Sequence, residues 1–409
     1  MTWLTAELPG CGGDYRVCPD DFFVEELPLY PCCGAGEHLF VLVEKRGMTT
    51  QEMLRQLAGA LEISPRDLGY AGLKDARALT RQWVSLPAHC EKKLSRFNLP
   101  SLRLLDQQRH TNKLRLGHLA GNRFRLRIRK PGPDALSTAR QILAILERRG
   151  LPNFFGEQRF GVLNNSHFCG FYLLRGDYEG FCRTLFGDPQ QITHPAWQQA
   201  AQLFQAGHFA QAARLLPPRM ADEKQLCRAL AAGRSYPAAV RALPPQRLRL
   251  LLSASQSWLF DQLLSQRMPD LDRLQLGDLA FKHANGACFA VEDLAVEQQR
   301  AAAFEISPTA PLFGSKVPLA QRQPGENERA LLAKYRLSAS DWRLGQGLSM
   351  TGARRALRVP LVAASVSPLG SDLLLNFCLP PGSYATSVLQ EIIKPSPPET
   401  ASEPAVVSD

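Results

Sequence analysis

The run "GNRFRLRIR" constrains the fold more than any other stretch of this 409-residue chain. Arg123, Arg125, Arg127 and Arg129 alternate strictly with Phe124, Leu126 and Ile128. A period of two marks a β-strand, whose successive side chains leave opposite faces of a sheet. One face is therefore basic, and the other carries Asn122, Phe124, Leu126 and Ile128. On pattern alone this is a half-buried strand with a solvated outer face. Asn122 is the exception on the apolar side, because a polar amide there must find a partner or bear the cost of desolvation, and the edge of a bound base would serve. Upstream, "RHTNKLRLGH" adds Arg109, Lys113 and Arg115, cations able to engage phosphates.

Strand-like sequence lies at both ends of the chain. "FFVEEL" from Phe22 and "EHLFVLVEKRG" from Glu37 read as strands joined by a Gly/Pro/Cys-rich connection. "TTQEMLRQLAGALEI" follows as an amphipathic helix: Thr49 and Glu52 have capping-box spacing, and Met53, Leu54, Leu57 and Leu61 recur on one face. A second helix is predicted over "DALSTARQILAILERR", closed by Gly150 with Pro152 beyond it. From about Gly161 to about Pro308 the Ala, Gln and Leu-rich stretches read as helices. Strands return in "ARRALRVPLVAASVSPLGSDLLLNFCLPPG", before a last helix. The expected architecture is α+β: one β-rich domain from both termini, residues 1–156 and 309–394, interrupted by a mainly helical insertion, residues 157–308. The Pro, Ser and Glu-rich residues 395–409 are expected to form a disordered tail.

Forty-eight Lys and Arg against 38 Asp and Glu leave a formal charge of +10, which favours polyanionic partners without selecting one. No apolar stretch approaches the roughly 20 residues that span a bilayer, and no secretory signal is readable at the N-terminus. A cytoplasmic protein without membrane association is expected. The 10 cysteines form no CxxC pair and have no His-rich ligand spacing, so no metal site is expected. Phosphate-binding loops, a dinucleotide fingerprint, "HExxH" and "GxSxG" are all missing.

Two further clusters can carry chemistry. In "GYAGLKDARALTRQW", Asp75 follows a Gly-containing turn beside Lys74, with Arg77 and Arg81 close by. A carboxylate in such a basic setting is suited to act as nucleophile or base, although an isolated Lys-Asp pair in a turn is also an ordinary surface feature. "FFGEQRFG", Phe154 to Gly161, is either stacking and ion-pairing machinery or a structural junction between modules.

Four ordered segments together carry a resemblance: "DDFFVEELPLY…GEHLFVLVEKRG", "YAGLKDARALTRQW", "NKLRLGHLAGNRF" with "LPNFFGEQRFG", and "LPPGSYATSVLQEI". In this order they resemble the TruD family of tRNA pseudouridine synthases across nearly the whole chain except the middle and the tail. The resemblance implies a pseudouridine synthase catalytic domain with a mixed, largely antiparallel sheet and a family-specific insertion (TRUD) domain. It also implies that tRNA is the substrate, at uridine 13, and that neither cofactor, metal nor obligatory protein partner takes part. By position, Asp75 of "AGxKD" matches the catalytic aspartate, while Phe22, Asn122 and Tyr384 match residues lining the uridine pocket. Ala76 and Arg77 follow the aspartate where some relatives have Lys-His, and Tyr384 stands where some have Phe. Asp75 would attack the ribose C1′ or remove a ribose proton to give a glycal. Its expected basic partner is Arg16, just before "PDDF", with Lys74 and Arg77 as competitors. The alternatives are a non-catalytic RNA-binding protein of the same fold and another RNA-modifying enzyme such as a methyltransferase, which the missing glycine-rich loop disfavours.

Overall fold

The computed structural model describes residues 3–394, apart from 95, 96, 98 and 346. The described residues divide into two compact units: Trp3–Leu151 together with residues 359–394, and Pro152–Arg358. The tail expected at 395–409 lies outside the described residues.

The terminal unit is built on a nine-stranded sheet. Its main path runs Val362–Leu369, Asp372–Leu379, Leu119–Arg129, Phe22–Pro28, Leu79–Pro87, His38–Arg46, Leu102–His110, with the short strands Asp14–Tyr15 and Gly69–Tyr70 beside it. Neighbours are antiparallel except Phe22–Pro28 and Leu79–Pro87, which run parallel. This is the α+β class and the largely antiparallel sheet expected from the sequence. The register explains the alternation in "GNRFRLRIR". Leu126, Phe124 and Asn122 lie opposite Phe22, Val24 and Glu26 on one side and opposite Leu375, Phe377 and Leu379 on the other. Cross-strand partners share a face, so these side chains form one surface. The helices Ala135–Arg149 and Ala385–Ile393 cover it, burying Ile142, Leu146, Val388 and Ile392 against Phe124, Leu126 and Phe377.

A second core lies under the helix Thr50–Leu61, where Met53, Leu54, Leu57 and Leu61 pack on Val41, Val43, Val84 and Leu86. Half of the expected capping box forms: Thr49 Oγ1 accepts from the Glu52 N–H at 3.1 Å, whereas the Glu52 carboxylate pairs with Arg55. The two chain ends are clasped together. The Glu391 carboxylate of the last helix accepts from the N–H groups of Leu4 and Thr5 and from the Thr5 hydroxyl at 2.7 Å.

The middle unit is largely helical, its longest helix being Pro245–Arg267, but it also holds a four-stranded sheet in the order Cys288–Ala290, Leu279–Lys282, Ile306–Leu312, Ala353–Ala356. Residues 309–358, grouped with the terminal segments on sequence, therefore pack with the middle. Ile306–Leu312 pairs with Leu279–Lys282 along one edge and Ala353–Ala356 along the other. These strands are short, and the central one contains Pro308 and Pro311, which obscures a strand in sequence. The "FFGEQRFG" region serves as a clasp inside this unit. Asn153 bonds the Ala356 and Leu357 carbonyls, Arg355 lies 4.3 Å from the Phe155 ring centroid, and Arg159 donates to Ser257 at 3.0 Å. Among the described residues no helix is long and apolar enough to cross a membrane.

Candidate active site

The segment from Ala71 to Ala78 joins the Gly69–Tyr70 strand to its antiparallel neighbour Leu79–Pro87 as an irregular loop. Loops of this kind need partners for their backbone groups, and buried side chains supply them here. The Lys74 N–H donates to Thr50 Oγ1 at 2.9 Å, that hydroxyl donates to Gln82 Oε1 at 3.0 Å, and the Gln82 amide donates back to the Gly72 carbonyl. The Lys45 ammonium donates to the carbonyls of Asp75 at 3.0 Å and Met48 at 2.6 Å. The Lys74 side chain points inward and pairs with Glu26 at 2.6 Å, the two being 4% and 1% exposed.

With Lys74 directed inward, Asp75 is presented outward. Its Oδ2 pairs with Arg16 Nη2 at 2.6 Å, and the two side chains keep 18% and 19% exposure. Its Oδ1 accepts from the Arg77 N–H at 2.8 Å. Of the three candidate partners, Arg16 makes the ion pair, Arg77 contributes a backbone donor, and Lys74 serves Glu26. Arg16 has φ +59°, uncommon for a residue with a side chain, and its guanidinium sits 4.0 Å from the Phe22 ring centroid. Such a cation over an aromatic face is attracted by the ring quadrupole. Phe22 is 2% exposed, so it seats Arg16 from within the core.

Asn122 is half-buried, and its Oδ1 has no hydrogen-bond donor among the described residues. In register it faces Glu26, which places it beside the Lys74–Glu26 pair. The preceding Gly121 is required by close packing, since a Cβ there would lie 2.5 Å from the Leu379 carbonyl oxygen. Leu379 is also Asn122's other strand partner, and Tyr384 follows five residues later, half-buried at the N-cap of the last helix. Asn122 and Tyr384 are thus brought to the same end of the sheet.

The basic face is mostly neutralised within the protein. Arg123 pairs with Glu25 at 3.1 Å, Arg127 with Asp372 at 2.5 Å and Arg129 with Asp21 at 2.8 Å, while Arg125 lies over the Phe23 ring. Burial opposes ionisation of Asp21, but paired hydrogen bonds from Arg129 outweigh it and hold the carboxyl below the ordinary carboxylate range. Lys113 and Arg115 differ: Lys113 donates to the Arg66 carbonyl, and neither has a carboxylate partner among the described residues.

Glu26 and Lys45, which hold the loop around Asp75, are residues of the candidate site that sequence reasoning missed. Glu26 has the parity of Phe22 and Val24, and Lys45 that of Val41 and Val43, so a charge continuing an apolar face was the available signal. Burial pushes the Lys45 ammonium down to about 8 from 10.5, opposed by the Asp75 charge and assisted by Lys74. A lysine with a lowered folded pKa binds fewer protons folded than unfolded between the two values, so its contribution makes stability rise with pH from about 8 to 10.5. Denaturant titrations across that interval are expected to show this rise in the wild type and a flatter response in Lys45→Met; equal slopes would contradict it.

No group of three or more His, Cys, Asp or Glu among the described residues is arranged to hold a metal ion. The site instead offers an accessible, oriented carboxylate with a guanidinium on one oxygen and a buried amide acceptor nearby. The family model for tRNA pseudouridine synthase D (TruD) matches residues 1–392. A tRNA pseudouridine synthase D of Syntrophotalea carbinolica is 53% identical over 392 residues, covering 96% of this chain and 98% of that protein. The protein of that name from Thermus thermophilus is 39% identical, covering 96% and 92%. The crystal structure of a tRNA pseudouridine synthase D from Methanosarcina mazei superposes with a TM-score of 0.83 at 26% identity, covering 97% of each chain. Matched from end to end in sequence and in fold, the chain belongs to the tRNA pseudouridine synthase D (TruD) family.

Proposed function

We propose that this chain, a tRNA pseudouridine synthase by family, isomerises uridine 13 of tRNA in the cytoplasm, with Asp75 as the catalytic carboxylate and no cofactor. The observation that carries the reading is the Arg16–Asp75 pair, an accessible carboxylate aimed by donors on both oxygens. In this reading the terminal unit is the catalytic domain and Pro152–Arg358 is the insertion.

The reaction breaks the bond from ribose C1′ to N1 of uracil, turns the base, and joins C1′ to C5. The C5 hydrogen leaves as a proton and N1 gains one, so no net oxidation occurs. Asp75 assists by attacking C1′ or by taking a ribose proton; both use an ionised carboxylate oxygen directed at the sugar. Arg16 fixes Oδ2, and Phe22 fixes Arg16. The uridine must leave its stack to reach them. Asn122 Oδ1, a buried acceptor with no donor among the described residues, is complementary to the uracil N3–H, and Tyr384 supplies a ring on which the base can stack. Incubation with tRNA followed by pseudouridine mapping tests the reading: modification confined to position 13 is expected, and binding without conversion would favour a non-catalytic RNA-binding protein.

Two predictions concern substrate contacts. Tyr384→Phe is expected to be mild and Tyr384→Ala severe, because base stacking on an aromatic contributes about 1–3 kcal/mol. Asn122→Ala should raise KM or slow the reaction while leaving the melting temperature unchanged; a large thermal loss would make Asn122 a structural residue instead. A third prediction concerns charge. Replacing Lys113 and Arg115 with Ala should weaken tRNA binding and flatten its log–log salt dependence by about 0.7–0.9 for each phosphate no longer neutralised. Single-turnover rates at saturating tRNA should hardly change. An unaltered salt slope with a lost rate would assign these residues to the reaction.

A further inference from the structure

Phe22–Pro28 and Leu79–Pro87 pair only from Phe23 with Leu79 to Glu25 with Arg81. Past that ladder a pocket of about 170 Å³ opens, lined from these strands by Glu26, Pro28 and Trp83 and from elsewhere by Tyr30, Phe40, Gln108, Leu114 and His118 among others. Four rings, Tyr30, Phe40, Trp83 and His118, line it together with aliphatic side chains and a few polar groups. Tyr30 stacks on His110 at 5.1 Å, and its hydroxyl is 2.8 Å from His118 Nδ1. Gln108, whose Nε2 donates to Asp106 at 2.9 Å, adds an amide oxygen able to accept. The volume suits one planar ring system.

Three observations select an occupant. Glu26 is shared between this pocket and the Lys74–Glu26 pair, so the pocket begins one side chain and one residue away from Asp75. The loop that gives Leu114 and His118 to the walls also carries Lys113 and Arg115, whose charges no carboxylate balances among the described residues. Leu29, 55% exposed, lines the pocket, and Leu116, 68% exposed, stands on that same loop. Aromatic walls, edge-reading polar groups and adjacent uncompensated cations are what a splayed base of a polyanionic strand requires.

We propose that this pocket takes a second unstacked base of the RNA substrate, a neighbour of the target uridine, and so contributes to choosing the site of modification. The inference rests on the reading of the chain as an enzyme acting on tRNA. It extends that reading from one flipped nucleotide to two.

The test uses full-length protein and a series of tRNA transcripts, each with a single abasic nucleotide at one position flanking the target uridine. Binding is measured for wild type, Trp83→Leu and Tyr30→Ala. One abasic position is expected to weaken wild-type binding about ten- to a hundredfold, the range that base stacking supplies. The two variants should bind intact tRNA correspondingly less well and be indifferent to that base. Wild-type binding insensitive to every flanking base, or losses that simply multiply in the variants, would overturn the proposal. Should the variants not fold, a fluorescent purine analogue at the sensitive position decides the matter: quenching on wild-type binding supports stacking, and unchanged emission refutes it. Coupling is read in binding, so it is decided even where intact tRNA is not converted, a result that would count against the catalytic reading alone.

Discussion

Replacing Asp75 with Asn is expected to abolish pseudouridine formation while tRNA affinity stays within a few-fold of wild type. The amide preserves the shape of the carboxyl and can still accept from the Arg77 N–H, but it is neither a nucleophile nor a base. Loss of such a group lowers single-turnover rates by about four orders of magnitude or more. Asn also brings its own donors toward Arg16, so the 2.6 Å ion pair is lost with the chemistry. Arg16→Lys provides the companion measurement: it keeps a positive charge but cannot reproduce the planar contact with Phe22 at 4.0 Å, and an intermediate rate is expected. An Asp75→Asn enzyme that converts tRNA at near wild-type rate would remove Asp75 from the mechanism.

The largest expected effect on stability comes from Lys74→Met. Its partner Glu26 is 1% exposed, and removing one member of a buried ion pair strands the other at a cost of about 3–5 kcal/mol. Burial raises the Glu26 carboxyl above its ordinary range, and Lys74 pulls it back. Without Lys74 the folded pKa climbs further. Above pH 4.5 the unfolded chain has released the Glu26 proton while the folded variant retains it, so the variant loses stability as pH rises toward that elevated value. Its deficit relative to wild type should be smallest in acid and grow toward neutral pH. Adding Glu26→Gln removes the stranded charge and should recover part of the loss. Denaturant titrations at several pH values check both expectations, and a deficit independent of pH would mean that Lys74 acts through packing alone.

Much of this arrangement was legible in the chain. The alternation from Arg123 to Arg129 placed the arginines on the face opposite Asn122, and the register agrees: Arg123 lies across from Glu25 while Asn122 lies across from Glu26. The pairing of Arg16 with Asp75 followed from motif position. The competition between Arg16 and Lys74 could not be settled from spacing, because Lys74 is satisfied by Glu26, a residue distant in sequence that is brought beneath it only when the sheet closes. Lys45 and Glu26 were passed over for the same reason, since each looks like a surface charge until its neighbours on the buried face are known. In the middle of the chain, helical periodicity was readable, but the Cys288–Ala290 and Leu279–Lys282 strands are too short to show a period. Residues 309–358 were consequently grouped with the terminal strands, although the boundary cuts through the strand Ile306–Leu312, whose first three residues pair with Leu279–Lys282 and whose last four pair with Ala353–Ala356.

The route of the chain through the sheet has a consequence for its synthesis. Leu119–Arg129 takes one neighbour from the earlier Phe22–Pro28 strand and the other from Asp372–Leu379, and Arg127 is separated from its partner Asp372 by 245 positions. At roughly 5–20 residues per second, the ribosome delivers that second neighbour about ten to fifty seconds after the first pair is available. Throughout that interval Phe124, Leu126 and Ile128 belong to a bare strand edge, the kind of template on which nascent chains associate. Arg123 and Arg129 already have Glu25 and Asp21, made before them, so repulsion between copies falls to Arg125 and to Arg127, whose partner Asp372 is still to come. These two charges guard the growing strand until Asp372 arrives to engage Arg127 and the strand ceases to be an edge.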